Sequence, residues 1–522
     1  LRTIVTADSV NTGEMDLGHA LAIDDGVVVG IGAKRDLYQP GDHVIDFDGG
    51  HIVPGFRDTH IHAIPYAALL SGCSLKSAVS MDDMLDRLGR YARSLPAGAP
   101  VVASRLDDES LRERRLPTRD DLDRAEADRP VVIYRYCGHV AVANSVALKM
   151  SGIDANINDP EGGVIDRDST GTPTGVLRET ATGLIAGALA RGAPLPAGRL
   201  IDGLTRLGGL GITSIGAMVG YGESPYEKLE AESELFRQVA DDLPIKVHAL
   251  SIASTPADLV ASAMVLDAGS SRLRWLGVKR FSDGSLGGHT AAMCSPFSDV
   301  DTVGTYRLTP ADVDVAKTAL DLGGMVAIHA IGDRAVSGVL DVFDELLANG
   351  AESDDLRMEH VSVASPELIS RFARTGATAV VQPAFLASEE GWIAKRLGPE
   401  RASWAYPFRS MWNAGITLAG SSDSVVEPPH PLWGMAAAMD RHGINPGEAL
   451  TGQQALGLFT TGAVRAIREP EPFWMLSPAD FVVLDVDVTK ATAPTVHDAT
   501  VLETFIDGER LEIDRTLPTW VD

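Results

Sequence analysis

Eight short apolar runs, each of a length suited to a buried strand, recur along this chain, and helical stretches separate most of them. The runs fall at 52–62, 212–218, 246–252, 278–283, 326–331, 357–361, 378–385 and 416–423. Helical periodicity is clear between several of them, for example at 311–322, 336–348 and 366–375. Short buried runs alternating with helices mean parallel strands joined by crossover helices. Eight such units close a (β/α)8 TIM barrel, and the 522 residues suffice for a barrel with attachments. A doubly wound open sheet has the same rhythm, and the count alone does not separate the two.

The two ends of the chain look alike. Short apolar runs and turn signals, Asp25-Gly26 near one end and Asp507-Gly508 near the other, suggest hairpins at both. Chain termini often lie close together, so a small β-sandwich domain built from 1–50 plus 470–522 is expected, with the barrel over 51–469. After the first run comes an insertion of α/β character, at about 75–200. It holds an amphipathic helix over 81–95, with Met81, Met84, Leu85, Leu88, Tyr91 and Leu95 on one stripe, and a strand at 131–136.

Composition narrows the function classes. A formal net charge of −27 argues against nucleic acid, whose phosphates such a surface repels. No apolar run approaches the ~20 residues that span a bilayer. No basic segment followed by an apolar core opens the chain, so no signal peptide is expected. Cys73, Cys137 and Cys294 are widely spaced and form no disulfide framework, which fits a reducing cytoplasm.

Polar residues at the ends of the apolar runs carry the chemistry. His60 and His62 stand two apart behind the first run, so in a strand both imidazoles share one face. They are either two satisfied polar residues at a strand end or half of a metal site. Lys279, His329, His360 and Asp423 lie near the ends of the fourth, fifth, sixth and eighth runs. Each alone reads as a hydrogen-bonded structural residue, a cap or a solvated lysine. Together they match the C-terminal face of a barrel, where catalytic residues come from several strands.

The segments that hold these residues resemble the metal-dependent amidohydrolase superfamily, most closely its YtcJ-like (amidohydrolase 3) branch, which includes N-substituted formamide deformylases. The resemblance is carried by Gly50-His-Ile-Val-Pro-Gly-Phe-Arg-Asp-Thr-His-Ile-His62, Leu116-Pro-Thr-Arg-Asp-Asp-Leu-Asp123, Gly138-His139, Gly171-Thr-Pro-Thr-Gly-Val-Leu-Arg-Glu179, Val278-Lys-Arg-Phe-Ser-Asp-Gly284, His329-Ala-Ile-Gly-Asp-Arg334, Met358-Glu-His360 and Gly420-Ser-Ser-Asp423. It covers nearly the whole chain and is more specific for the superfamily than for any substrate.

The resemblance implies two divalent metal ions, zinc by ligand type. His60, His62 and Asp423 would hold the more buried ion, and His329 and His360 the second. Lys279 would bridge them as a carbamate formed with carbon dioxide. Glu179 is a rival for the bridge, and Lys279 is favoured because it lies on the fourth run whereas Glu179 lies in the insertion. The implied reaction is attack of a metal-bridging hydroxide on the C–N bond of an amide, N-formyl or N-acyl small molecule, with Asp423 as general base and then acid. His139, Glu179, Asp283 and Arg334 fall in recurrent motifs and are candidates for substrate binding, though His139 and Asp283 read equally well as structural and Arg334 as a partner of Asp333. Phe385, Trp392 and Trp433 are candidates for an apolar pocket or plain packing. His289 stands where the family often has arginine, which points to an unusual substrate. A mononuclear-metal deaminase and a catalytically silent regulatory member are the competing functions. Barrels of this kind often associate, so a homodimer is one expectation.

Overall fold

The computed structural model describes residues 2–12, 16–70, 72–108, 110–135, 140–160, 163–185, 195–222, 230–267 and 269–513. At its centre is an eight-stranded parallel sheet whose strands follow one another in chain order: β1 (Phe56–Ile61), β2 (Ile212–Gly220), β3 (Lys246–Ile252), β4 (Leu273–Phe281), β5 (Met325–Ala330), β6 (Leu356–His360), β7 (Thr378–Val381) and β8 (Leu418–Gly420). Sequential parallel order with helices between the strands is the (β/α)8 barrel rather than the doubly wound sheet. The seam between β8 and β1 closes just past the strand ends. Asp423 N–H donates to His60 O at 2.9 Å, and His62 N–H donates to Ser424 O at 2.8 Å.

The outer helices begin and end where their caps dictate. Thr309 and Asp312 form a capping box in front of Pro310–Asp321. Ser365 caps Pro366–Thr375 through Leu368 N–H, and Gly376 ends that helix in the left-handed region. Both helices turn their apolar side, for example Val315, Ile369 and Phe372, into the layer outside the strands.

Strands from both ends of the chain form one continuous seven-stranded mixed sheet, in the order Glu509–Arg510, Val501–Ile506, Phe481–Leu484, His43–Pro54, Thr3–Asn11, Asp16–Asp24, Val27–Gly32. The sheet curls so that Val27 bridges to Pro478, and Val5, Leu21, Ile52, Phe481 and Phe505 pack in its core. The apolar run at 52–62 thus serves two sheets. It leaves the terminal sheet at Pro54 and enters the barrel at Phe56, with only Gly55 between. Gly55 N–H donates to Asp480 O, whereas Phe56 N–H donates to Gly211 O. A Cβ at Gly55 would lie 2.3 Å from the Thr213 side chain, so this change of partner requires glycine. Lys246, at the start of β3, ties the barrel floor to this sheet through Asp480 (2.6 Å) and Asp507 (2.8 Å).

The insertion forms a third, six-stranded sheet from strands between Cys73 and Glu179. Its helix Met81–Ser94 packs Met84, Leu85 and Leu88 against that sheet and is capped by Ser80, which accepts from Asp83 N–H.

Candidate metal centre

The six ligand candidates come from five strands and meet at the C-terminal face of the barrel. His60 and His62 share a face at the end of β1, with ring centroids 5.8 Å apart. The turn after β8 brings Asp423 back to them. Its Oδ1 lies 3.4 Å from His60 Nε2 and 3.3 Å from His62 Nε2. Asp58 holds that turn by accepting from both the N–H and the hydroxyl of Ser422. Lys279, buried on β4, places Nζ 3.5 Å from His60 Nε2. His329 and His360 stand side by side with centroids 4.4 Å apart, and His360 lies 5.2 Å from His60. Nitrogen and oxygen atoms of His60, His360 and Asp423 all fall within 4.8 Å of one another.

The backbone bends to achieve this. On β6, Arg357 and Glu359 share the face that meets His60, so simple alternation would turn His360 away. His360 and the β-branched Val361 instead adopt φ of +74° and +49°, and the imidazole swings into the cluster. Asp423 also sits in the left-handed region, at +53°. Such conformations persist only where the surroundings over-determine them, and functional sites are where they concentrate.

Three imidazoles are oriented from behind. His60 Nδ1 donates to Glu359 Oε2 at 2.5 Å, and Arg357 grips that carboxylate through Nε (2.6 Å) and Nη2 (3.1 Å). His360 Nδ1 donates to Gln382 Oε1 at 2.8 Å, and Gln382 in turn donates to Ser421 Oγ. His329 Nε2 donates to Gly284 O at 2.9 Å. A carbonyl or an ionised carboxylate only accepts, so each of these nitrogens carries the proton, and on His60 and His360, which burial keeps neutral, the opposite ring nitrogen keeps its lone pair. This is how metal-binding histidines are held.

Charge states agree. Burial lowers His60 to about 4, helped by the Lys279 charge. Burial, with His329 and Lys279, holds His360 well below the usual imidazole range. Burial works upward on Asp423 but is outweighed by His60, His62 and His360, which keep its carboxyl ionised. Burial also brings Lys279 down to about 8 despite Glu359 and Asp423, so a neutral amine is accessible near neutral pH. Neutral imidazoles and an ionised carboxylate are the forms that bind divalent metals, and the donor set fits such ions.

The other candidates fare differently. His139 lies outside the described residues. Glu179 ends the insertion strand Pro173–Glu179, and its side chain is outside the described set. Asp283 is a buried node: its oxygens accept from Ile331, Gly332 and Ala292 N–H, and Oδ1 lies 3.1 Å from His329 Nε2. Arg334 meets Asp333 through its main-chain N–H (2.9 Å), while its guanidinium lies exposed over the Tyr306 ring. His289 is engaged with Asp299 at 3.0 Å and Arg396 at 3.2 Å. Trp392 packs under Arg396, and Trp433 stacks between His430 and His497. Of the three aromatics, Phe385 alone touches the cluster, stacked on His360 at 6.3 Å. Glu359, Arg357, Asp58 and Gln382 were not foreseen. Position offered a signal for one of them, since Glu359 directly precedes His360.

A parallel barrel with imidazoles, a carboxylate and a lysine at its C-terminal mouth defines a metal-dependent hydrolase type of centre. Residues 43–511 match the amidohydrolase family, and the chain belongs to it. It is 29% identical over 517 residues to YtcJ of Bacillus subtilis, covering 95% of this chain and 96% of that one. It is 28% identical over 536 residues to the N-substituted formamide deformylase of Arthrobacter pascens, covering 95% of each. Among solved structures, an uncharacterized metal-dependent hydrolase from Pyrococcus furiosus superposes with a TM-score of 0.76 at 28% identity, covering 94% of this chain and 100% of that one.

Proposed function

We propose that this protein hydrolyses a C–N bond of a small molecule, an amide, N-formyl or N-acyl amine, with two divalent ions, zinc by ligand type. The observation that carries this is the lone pairs of His60 and His360, each fixed by a partner behind it and gathered with the Asp423 carboxylate, with the His329 ring beside His360. His60, His62 and Asp423 would hold one ion, and His329 and His360 the other, with Lys279 between them as a carbamate. Bound divalent ions polarise a carbonyl and lower the pKa of water from about 15.7 toward 7.

The chain's own residues do the rest. Asp423 Oδ1, ionised and beside His60 and His62, takes the proton of the attacking water and returns it to the leaving nitrogen. Asp58 holds the Ser422 turn and so aims Asp423. The similarity to a formamide deformylase supports the N-formyl end of this substrate range.

A second reading, a single-metal deaminase, has one observation in its favour: His60, His360 and Asp423 form the compact group within 4.8 Å. Metal content separates the two readings. A panel of formamides, N-acyl amines and amino-acid amides, assayed with the metal-loaded enzyme and with Asp423→Asn as control, tests the reaction. Ammonia release from an aminated ring, without amide cleavage, would favour the deaminase. Cys73 and Cys294 are free, which suits a reducing compartment, and we place the enzyme in the cytoplasm. Among the described residues no helix is long and apolar enough to cross a membrane.

A further inference from the structure

Phe281, the last residue of β4, leaves 37% of its surface exposed although it stands within the ligand cluster. Lys279 Nζ lies 5.1 Å from its ring centre, and the His329 ring 5.8 Å. The β4–β5 register pairs Phe281 with His329, so the two rings stand side by side on one face of the sheet. The contacts continue as a row: Phe281 against His329, His329 against His360 at 4.4 Å, and His360 against Phe385 at 6.3 Å and 13°. Phe385 is buried at the far end of that row, and Phe281 is open at the near end.

We infer that the exposed Phe281 ring is a specificity determinant, the wall against which the substrate lays an uncharged, apolar group of ring size carried next to the scissile C–N bond. The inference rests on the hydrolase reading above and adds the substrate's shape to it. An exposed aromatic face is covered by water that gains when an apolar group displaces it, and aromatic faces favour offset or edge contacts with other rings. A carboxylate or ammonium at that position would be desolvated against the ring without a partner. The competing role for Phe281 is to cover Lys279 and keep water from it. That role predicts a change in metal retention and none in ligand preference.

Hydroxamates chelate metals, so their binding probes this wall without a turnover assay. Binding of acetohydroxamate, phenylacetohydroxamate and the monohydroxamate of succinic acid to zinc-loaded protein is measured by calorimetry. Metal content and melting temperature are measured on the same samples. In the wild type, phenylacetohydroxamate should bind about tenfold more tightly than acetohydroxamate, and the succinic compound no better than acetohydroxamate. Phe281→Ala should shrink the phenyl preference to about threefold or less at unchanged metal content, and Phe281→Leu should keep part of it. A wild type indifferent to the phenyl group, or a full preference retained in Phe281→Ala, overturns the inference while leaving the hydrolase reading intact. Loss of metal in Phe281→Ala with an unchanged preference assigns the ring to covering Lys279 and overturns it too. If no hydroxamate binds zinc-loaded wild type, the open metal centre itself is refuted, and the inference falls with it.

Discussion

Glu359 Oε2 lies 2.5 Å from His60 Nδ1, and the guanidinium of Arg357 closes on both oxygens of the same carboxylate. All three side chains are buried. Arg357 also donates to Ala466 O and Thr59 O, so it anchors the pair to the barrel wall. One buried ion pair thus sets the direction of an imidazole and holds down the strands around it.

Replacing Glu359 with Gln keeps the volume and leaves Arg357 charged without its counter-ion. Breaking a buried pair from one side costs about 3–5 kcal/mol, and losing a ligand's outer partner costs about 10–100-fold in metal affinity. Glu359→Gln should therefore melt lower and release zinc to a chelator more readily. The double substitution Glu359→Gln with Arg357→Met should recover much of the stability but not the metal affinity. Recovery of both would mean that Glu359 does not orient His60.

Asp423 contributes its carboxylate to the cluster and its N–H to the barrel seam. Asp423→Asn keeps the N–H, so the fold should survive with a melting temperature close to wild type. Turnover should fall by about 10²–10⁴, the usual worth of a general base. Steady-state kinetics on an accepted amide, beside a thermal melt, checks both halves. Activity within a factor of about ten of wild type would remove Asp423 from proton transfer.

The metal-free protein should show opposing titrations. His60 is lowered from 6.5 to about 4 in the folded state. Between those values the unfolded chain binds a proton that the folded chain refuses, so this contribution is whole above 6.5 and is lost as pH falls toward 4. Asp58 moves the other way. Burial raises it from 3.8 to about 7 against the Ser422 hydrogen bonds, so its contribution is whole below 3.8 and is lost as pH rises through 7. Asp58→Asn should steepen the gain in melting temperature from pH 4 to 7, and His60→Asn should flatten it. The same slope in both variants would contradict these assignments.

Lys279 is buried and lowered to about 8, so a usable fraction is neutral near pH 8. A neutral amine takes up carbon dioxide. Protein reconstituted with zinc and ¹³C-bicarbonate should show a carbamate carbon resonance that is absent from Lys279→Ala. A resonance present in both would place the carbamate on another residue.

The six ligand candidates were legible because barrel chemistry concentrates at strand ends, and each stands within a few residues of one. The shell behind them was not. Alternation along β6 allows Glu359 or His360 to face the cluster, not both, and no pattern in the chain announces the left-handed turn at His360 and Val361 that admits both. The boundary at Gly55 was hidden for a related reason. A continuous apolar run looks like one strand, and it is the change of hydrogen-bond partner at Gly55, against the Thr213 side chain, that divides it between two sheets. The run at 378–385 likewise has the look of one strand, but β7 stops at Val381 and Phe385 opens a short helix. The exposure of Phe281 depends on what the neighbouring loops leave open, and no pattern in the chain announces it.

Crystals grown with zinc and measured on both sides of the zinc absorption edge give the most direct test of how the ligands are used. Two anomalous peaks should appear at the barrel mouth, one against His60, His62 and Asp423 and one against His329 and His360, with Lys279 density extended between them. A zinc-replete crystal with no peak among these side chains, or with its peaks held by other residues, would contradict the metal centre and the hydrolysis built on it.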